Sequence, residues 1–374
     1  MDKFNVMKNQ LQDFMNKEYA IKYLLYGFII IFIVCVILYI STNLTKKSRN
    51  NSSMTSKLDN AIKMNLSSMS YKDSNRALRD YYICSSYNSC CGGQFKNDYV
   101  DLVPLQQVIR TGCRLLDFEI YSLNNRPVIA ASSENNYHLK EMYNSVPFVD
   151  AIDTIKRYAF SGATCPNPND PLFLNFRIKS NNVKIYKQMA DAINNNLKNK
   201  LLDTKYQYEA HGESVVKKPL KTFLNKIIII CDNKEDNFRK VKEFHKLVNM
   251  SSGSIFLRSL RYYDVVYTHD FKELIHHNKK YMSIVSPDLS EKDTNMKSQL
   301  LTRYGCQFIC MCFQNVDTQL KYYLDLFNEA GKAFIVKPKQ LRYEPVTIKI
   351  PKPPNPAYSF APRTIDKPYF QSNI

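Results

Sequence analysis

The strongest constraint on this chain is a run of eighteen residues without a single charge, Tyr23–Ile40 (YLLYGFIIIFIVCVILYI). As a helix it rises about 27 Å at 1.5 Å per residue, close to the hydrocarbon thickness of a bilayer. It is apolar on every face, which predicts a membrane span rather than an amphipathic core helix. Tyr23, Tyr26 and Tyr39 lie near its ends, where amphipathic rings prefer the interface. About twenty polar residues precede the run and no small-residue cleavage site follows it, so a retained anchor is expected instead of a cleaved signal. The reading is a single-pass membrane protein whose partner through residues 23–40 is the lipid bilayer. Lys8, Lys17 and Lys22 flank one side and Lys46, Lys47 and Arg49 the other, so charge leaves the orientation undetermined.

Residues 1–22 are a polar N-terminal segment. Residues 41–75 are rich in Ser, Asn and Lys with little apolar periodicity, which predicts a flexible spacer. From residue 76 short apolar runs alternate with amphipathic segments. Expected strands are Arg114–Ile120, Pro127–Ala131, Leu172–Phe176, Lys226–Cys231 and Gln307–Phe313. Expected helices are Val103–Thr111, Val149–Phe160, Asn182–Asn195, Glu235–Leu247 and Asp317–Ala330. Such alternation points to an α/β domain with a largely parallel sheet, and some 270 residues suit a closed β/α barrel. Seven of the sixteen prolines fall between Pro345 and Pro368, so residues 346–374 read as an extended tail without a core of its own, able to pack on the barrel or dock on a protein partner.

The formal charge is +18, from 52 Lys and Arg against 34 Asp and Glu. That excess suits an anionic lipid surface, although the Lys-, Asn-, Ile- and Tyr-rich composition also fits an AT-rich genome, such as that of a large DNA virus or a protist. No zinc-finger spacing, RNP-like aromatic motif or basic-leucine pattern accompanies the charge, so nucleic acid is set aside as a partner. The ten cysteines show no CxxC spacing, which argues against a zinc site and for free thiols. Cys306, Cys310 and Cys312 share a parity that would place them on one face of a strand. Cys90–Cys91 is the pair to check for oxidation.

Five blocks, in order, resemble the catalytic X and Y regions of eukaryotic phosphoinositide-specific phospholipase C: YYICSSYNSCCGGQ, then VIRTGCRLLDFEIYSLNNRPVI, then VPFVDAIDTIKRYAF with NDPLFLNF, then HHNKKYMSIVSP, and finally YGCQFICMCFQNVDTQLKYYLDLFNEAGKAFIVKPKQLR. The resemblance implies a TIM-like (β/α) barrel of the phospholipase C-like phosphodiesterase type, preceded by one transmembrane helix, with an X-like half over 76–205 and a Y-like half over 206–345. In that family two histidines and a Ca²⁺ ion cleave a phosphodiester. Proton transfer near neutral pH suits an imidazole, and calcium needs clustered oxygen ligands.

Carried onto this sequence, most of those requirements fail. The first histidine position is Tyr87, followed by Asn88, which matches the calcium-binding asparagine. The second falls on Ser133, or on Lys140 when counted back from VPF, because about seven residues are inserted between them; His138 inside that insertion is the one substitute imidazole. Asp117 and Glu119 match two carboxylate positions in exchanged order and share a strand face. The third carboxylate position is Arg177, which could pair with Asp117 or Glu119 in place of the ion. Headgroup-binding positions fall on Ile230, Asp232, Ile284 and Ser286. The expectation is a catalytically inactive pseudoenzyme serving as a membrane-anchored structural or interaction scaffold, with no cofactor; a virion membrane protein would suit the anchor and the proline-rich tail, as would an internal host membrane. Two alternatives stand beside it: an active phosphoric diester hydrolase acting through His138 with Ca²⁺, and a lipid-headgroup binder without turnover.

Overall fold

A computed structural model describes residues 2–61, 64–135, 139–207, 213–232, 237–345, 352 and 361–373. They form two units, Met1–Arg342 and Tyr343–Ile374. The first begins with a 60-residue helix, α1 (Asp2–Ala61), which contains the apolar run. This helix is long and apolar enough to cross a membrane.

The first half of the barrel contains β1 (Tyr81–Ser86), α2 (Leu102–Arg110), β2 (Leu115–Leu123), β3 (Arg126–Ala130), β4 (Val146–Pro147), α3 (Phe148–Tyr158), β5 (Leu172–Ile178) and α4 (Val183–Leu197). The second contains α5 (Glu213–Val216), β6 (Ile227–Asp232), α6 (Lys242–His245), β7 (Met250–Ser252), β8 (Leu257–Arg261), α7 (Tyr262–Val266), α8 (Phe271–Lys280), β9 (Met282–Ser286), α9 (Ser298–Arg303), β10 (Phe308–Met311), α10 (Thr318–Ala330) and β11 (Phe334–Val336). Eight parallel strands run in the order β7-β6-β5-β2-β1-β10-β9-β8. Among the described residues β7 and β8 share no ladder, and a hydrogen bond from Gly253 N to Leu257 O (2.8 Å) bridges the seam. The result is a nearly closed TIM-like barrel. β11 lies antiparallel on β1, and β3 and β4 extend β2 as an antiparallel flap.

Strand alternation explains where the core ends and the mouth begins. Along β5 one face carries Leu174, Phe176 and Ile178, and Phe176 meets Phe148 of α3 edge-on at 5.4 Å. The other face carries Phe173, Asn175 and Arg177. Phe173 packs on Phe308 at 5.0 Å inside the barrel, so the interior column passes from aromatic at the base to charged at the mouth.

Three expectations need correction. Residues 41–61 are not a flexible spacer: α1 continues through them, and Met54 and Leu58, one turn apart on the same face, are 1% and 3% exposed. Beyond the helix, Leu66 and Met69 are buried as well. The composition reads as a linker because the helix docks partly through Asn and Lys side chains. Within Glu235–Leu247 the described residues form a 3₁₀ turn (Asn237–Lys240) and the one-turn helix α6, not a continuous helix. Of Cys306, Cys310 and Cys312 only Cys310 lies in β10; all three are nevertheless buried free thiols, as are Cys90 and Cys91.

The second unit carries a hairpin of β12 (Thr364–Lys367) and β13 (Phe370–Asn373), joined by Pro368 and a fully exposed Tyr369. The end of the proline-rich tail is therefore a paired ribbon. Most of 346–360 lies outside the described residues.

Candidate active site at the barrel mouth

The C-terminal ends of the strands bring together residues from four segments. The chain leaves β1 through Tyr87 and Asn88, and Asn88 adopts φ 44°, a left-handed conformation that asparagine tolerates better than most side chains. This turn aims the backbone N–H of Asn88 at Asp117 Oδ2 (3.0 Å). Ser89 exchanges bonds with Asp117, its N–H donating to the carbonyl (2.8 Å) and its Oγ accepting from the Asp117 N–H (2.9 Å). The parallel ladder then places Asp117 opposite Asn175 and Glu119 opposite Arg177, all facing inward. Asn175 Nδ2 donates to Asp117 Oδ1 at 2.6 Å.

Arg177 sits at the centre of this cluster. Its Nε donates to Asp117 Oδ1 (3.1 Å) and its Nη2 to Asp117 Oδ2 (2.9 Å), the two-pronged geometry that makes Arg–carboxylate pairs strong. The same Nη2 reaches Asn88 Oδ1 at 2.6 Å, and Nη1 stands 3.5 Å from Glu119 Oε1. The guanidinium carbon lies 4.6 Å from the centroid of the Tyr87 ring, a cation–π contact. Lys179, two residues on along the same face, stands 3.9 Å from Glu119 Oε1 and donates to Asn135 Oδ1.

Burial and charge act against each other here. Burial alone would lower the pKa of Arg177, but the Asp117 carboxylate, Tyr87 and Glu119 hold it well above its ordinary value, so the cation is permanent. Glu119 is pushed up by burial, with Arg177 and Lys179 pulling it back down. Burial also raises the Tyr87 phenol, despite Arg177 and Arg261 nearby; it remains neutral at pH 7 and accepts a hydrogen bond from Arg261 Nη1 at 3.2 Å. Neither a cationic general acid nor a titrating base stands at that position.

A calcium ion requires six to eight oxygens converging on one point. Here the Asn88 oxygen, both Asp117 oxygens and Glu119 Oε1 converge on a guanidinium instead, and two cations balance the two carboxylates. Among the described residues no group of three His, Cys, Asp or Glu is placed to hold a metal. The residues present do not fit calcium.

The remaining sequence-derived positions border the cluster without joining it, or lie apart from it. Ser133 donates through its backbone N–H (2.7 Å) and its Oγ to Glu141, while its neighbour Ser132 donates its N–H to Glu119 Oε2 (3.2 Å). Burial pulls the Glu141 carboxyl up, but hydrogen bonds from Ser133 and Ser132 and the Lys96 ammonium outweigh it and hold the group at about 2. Lys140 donates to the Met142 carbonyl at 2.6 Å. His138 lies outside the described residues. Ile230 is fully buried in β6, while Asp232, Ile284 and Ser286 border a mouth cavity of about 320 Å³. Arg177, Lys179, Arg261 and Asp264 also line it, so its charge is mixed and offers a polyanion no concentrated positive field.

Three participants escaped sequence reasoning: Asn175, Lys179 and Arg261. The first two were detectable in LNFRIK, since both share the parity of Arg177. Arg261 has no such signal, because its approach to Tyr87 is fixed by barrel closure.

Fold and mouth together define a TIM-like α/β barrel with a charged cluster centred on Arg177 at the C-terminal strand ends. Comparison with known families identifies it further. The family model of the phosphatidylinositol-specific phospholipase C X domain matches residues 74–233, and that of the Y domain matches 224–340, the two meeting on β6. The chain belongs to this phospholipase C family through its X/Y barrel. Among solved structures, PLC21 of L. pealei is 19% identical with a TM-score of 0.59, and PLC21 of S. officinalis is 20% identical with the same score. Each alignment covers 72% of this chain but only 38% of the relative, and shows the shared fold. No curated protein matches the sequence significantly.

Proposed function

We propose that this protein is a membrane-anchored, catalytically silent member of the phospholipase C family that serves as a scaffold. One observation carries the reading: the Arg177 guanidinium stands among Asn88, Asp117 and Glu119, the positions the family resemblance assigns to calcium. A fixed cation there neutralises the acids without polarising a phosphoryl oxygen or acidifying a nucleophile, which a metal ion would do. Tyr87, a neutral phenol, stands where proton or charge transfer needs an imidazole. The apolar stretch of α1 supplies membrane attachment, and the proline-rich tail is the segment offered to a protein partner, in keeping with a virion or internal host membrane.

The test is turnover. The full chain, reconstituted in vesicles containing labelled phosphatidylinositol, is expected to release no inositol phosphate with or without calcium. Calcium-dependent release that disappears in His138→Ala would overturn the proposal in favour of an active hydrolase.

A further inference from the structure

The direction in which α1 lies along the barrel has a consequence for how the mouth is presented. At the mouth end, Lys46 Nζ donates to the Asn97 carbonyl (2.8 Å) and pairs with Asp98 (3.2 Å), while Lys47 pairs with Asp101 (3.2 Å). Asn50 and Asn51 donate to the same two carboxylates at 2.9 and 2.6 Å. All these partners lie in the loop between β1 and α2, which leaves the C-terminal end of β1. At the other end, Asn65 N donates to Asn328 Oδ1 (2.7 Å), Ser67 N to the Gly331 carbonyl (3.0 Å) and Met69 N to Asp170 Oδ1 (2.6 Å). Asp170 precedes β5, and Asn328 and Gly331 close α10, the helix that runs back from the mouth end of β10, so these partners lie at the base.

The chain therefore descends from mouth to base between Lys46 and Met69, with Met54 and Leu58 buried in between. Because α1 is one uninterrupted helix, its earlier residues project beyond the mouth and not beyond the base. Glycine makes the contact possible: a Cβ on Gly93 would come within 2.5 Å of Asn50 Nδ2. From Ile40 to Lys46 the helix rises only about 9 Å. The headgroup layer beside the hydrocarbon is itself about 5–8 Å deep.

We infer that α1 is a rigid strut that holds the mouth of the barrel against the surface of the bilayer crossed by its own apolar stretch, so that the cavity opens onto lipid headgroups. This rests on the reading of residues 23–40 as a membrane span. It adds a fixed height and a fixed orientation, where a flexible spacer would leave the barrel free to turn away. The rim just past β8 carries Tyr263, 61% exposed, while Asn199 is exposed at the base, after α4.

The experiment uses the full chain with Cys35→Ser, carrying a fluorophore at Tyr263→Cys or at Asn199→Cys, in phosphatidylcholine–phosphatidylserine vesicles that contain headgroup-nitroxide lipid. The Tyr263 label is expected to be quenched several-fold more than the Asn199 label. A Gly-Ser insertion of about 20 residues after Ser41 is expected to abolish that difference. Equal quenching of the two labels in vesicles from which alkali extracts no protein would overturn the strut and leave the anchor standing. Extraction by alkali would overturn both.

Discussion

Two arginines, one fully buried at the base of the barrel and one part-buried at its mouth, show how differently the same side chain can serve a fold. Arg114, at the base, is fully buried and donates to neutral acceptors: the Ala159 carbonyl (3.2 Å), Asn167 Oδ1 (3.0 Å), the Asn167 carbonyl and Cys165 Sγ (2.8 Å). Arg177, at the mouth, faces carboxylates. The base arginine staples loops that have no secondary structure of their own. The mouth arginine balances charges that would otherwise demand a metal or protons. A barrel needs the first kind of residue to fold, whereas the second is required only because Asp117 and Glu119 are still there.

The comparison breaks most visibly if Arg114 is removed. Arg114→Leu orphans several buried acceptors at about 1–3 kcal/mol each, so a loss of about 5 kcal/mol or failure to fold is expected, and denaturant titration at neutral pH should show it. Arg177→Met is expected to cost about 3–5 kcal/mol at neutral pH, because it leaves a buried carboxylate unpaired. Its deficit should shrink on acidification, since Glu119, already pushed up by burial, can then take up a proton. A smaller loss from Arg114→Leu than from Arg177→Met would dissolve the distinction.

The ends should also differ in the sign of their own titrations. His277, just before β9 at the base, is lowered from 6.5 to about 4 by burial, with Arg258 adding to the effect, and one ring nitrogen lies 3.2 Å from the Met282 carbonyl. A depressed folded-state value means that its contribution is present above pH 6.5 and is lost as the pH falls toward about 4. His277→Phe should flatten that limb of a stability–pH curve. Glu119, raised at the mouth, works the other way, contributing at low pH and losing that contribution as pH rises through its folded value. The smallest effect is expected from Lys47→Ala, which removes a partly exposed pair with Asp101; a change under about 1 kcal/mol that vanishes in high salt would fit.

Much of the mouth was legible because strand periodicity is local. Asp117 and Glu119 in LLDFEI, and Arg177 in FLNFRIK, declare a shared inner face by their spacing alone, and the register of β2 with β5 then brings them together. The docking of α1 was not legible. Its polar residues find partners about fifty positions away in the β1–α2 loop, and Asn and Lys in a segment of low hydropathy look the same whether they meet water or a folded loop. Arg261 was hidden for a related reason, since only closure of the barrel carries β8 round to Tyr87. The helix expected over Glu235–Leu247 failed because periodicity cannot register a break into a 3₁₀ turn and a single helical turn.

Titrating calcium into the full chain in nanodiscs and following heat decides whether the Arg177 guanidinium holds the place that the family resemblance would give to calcium. With the guanidinium in place, the native protein is expected to show no saturable binding at neutral pH. Saturable one-to-one binding that is lost in Asp117→Asn would contradict it.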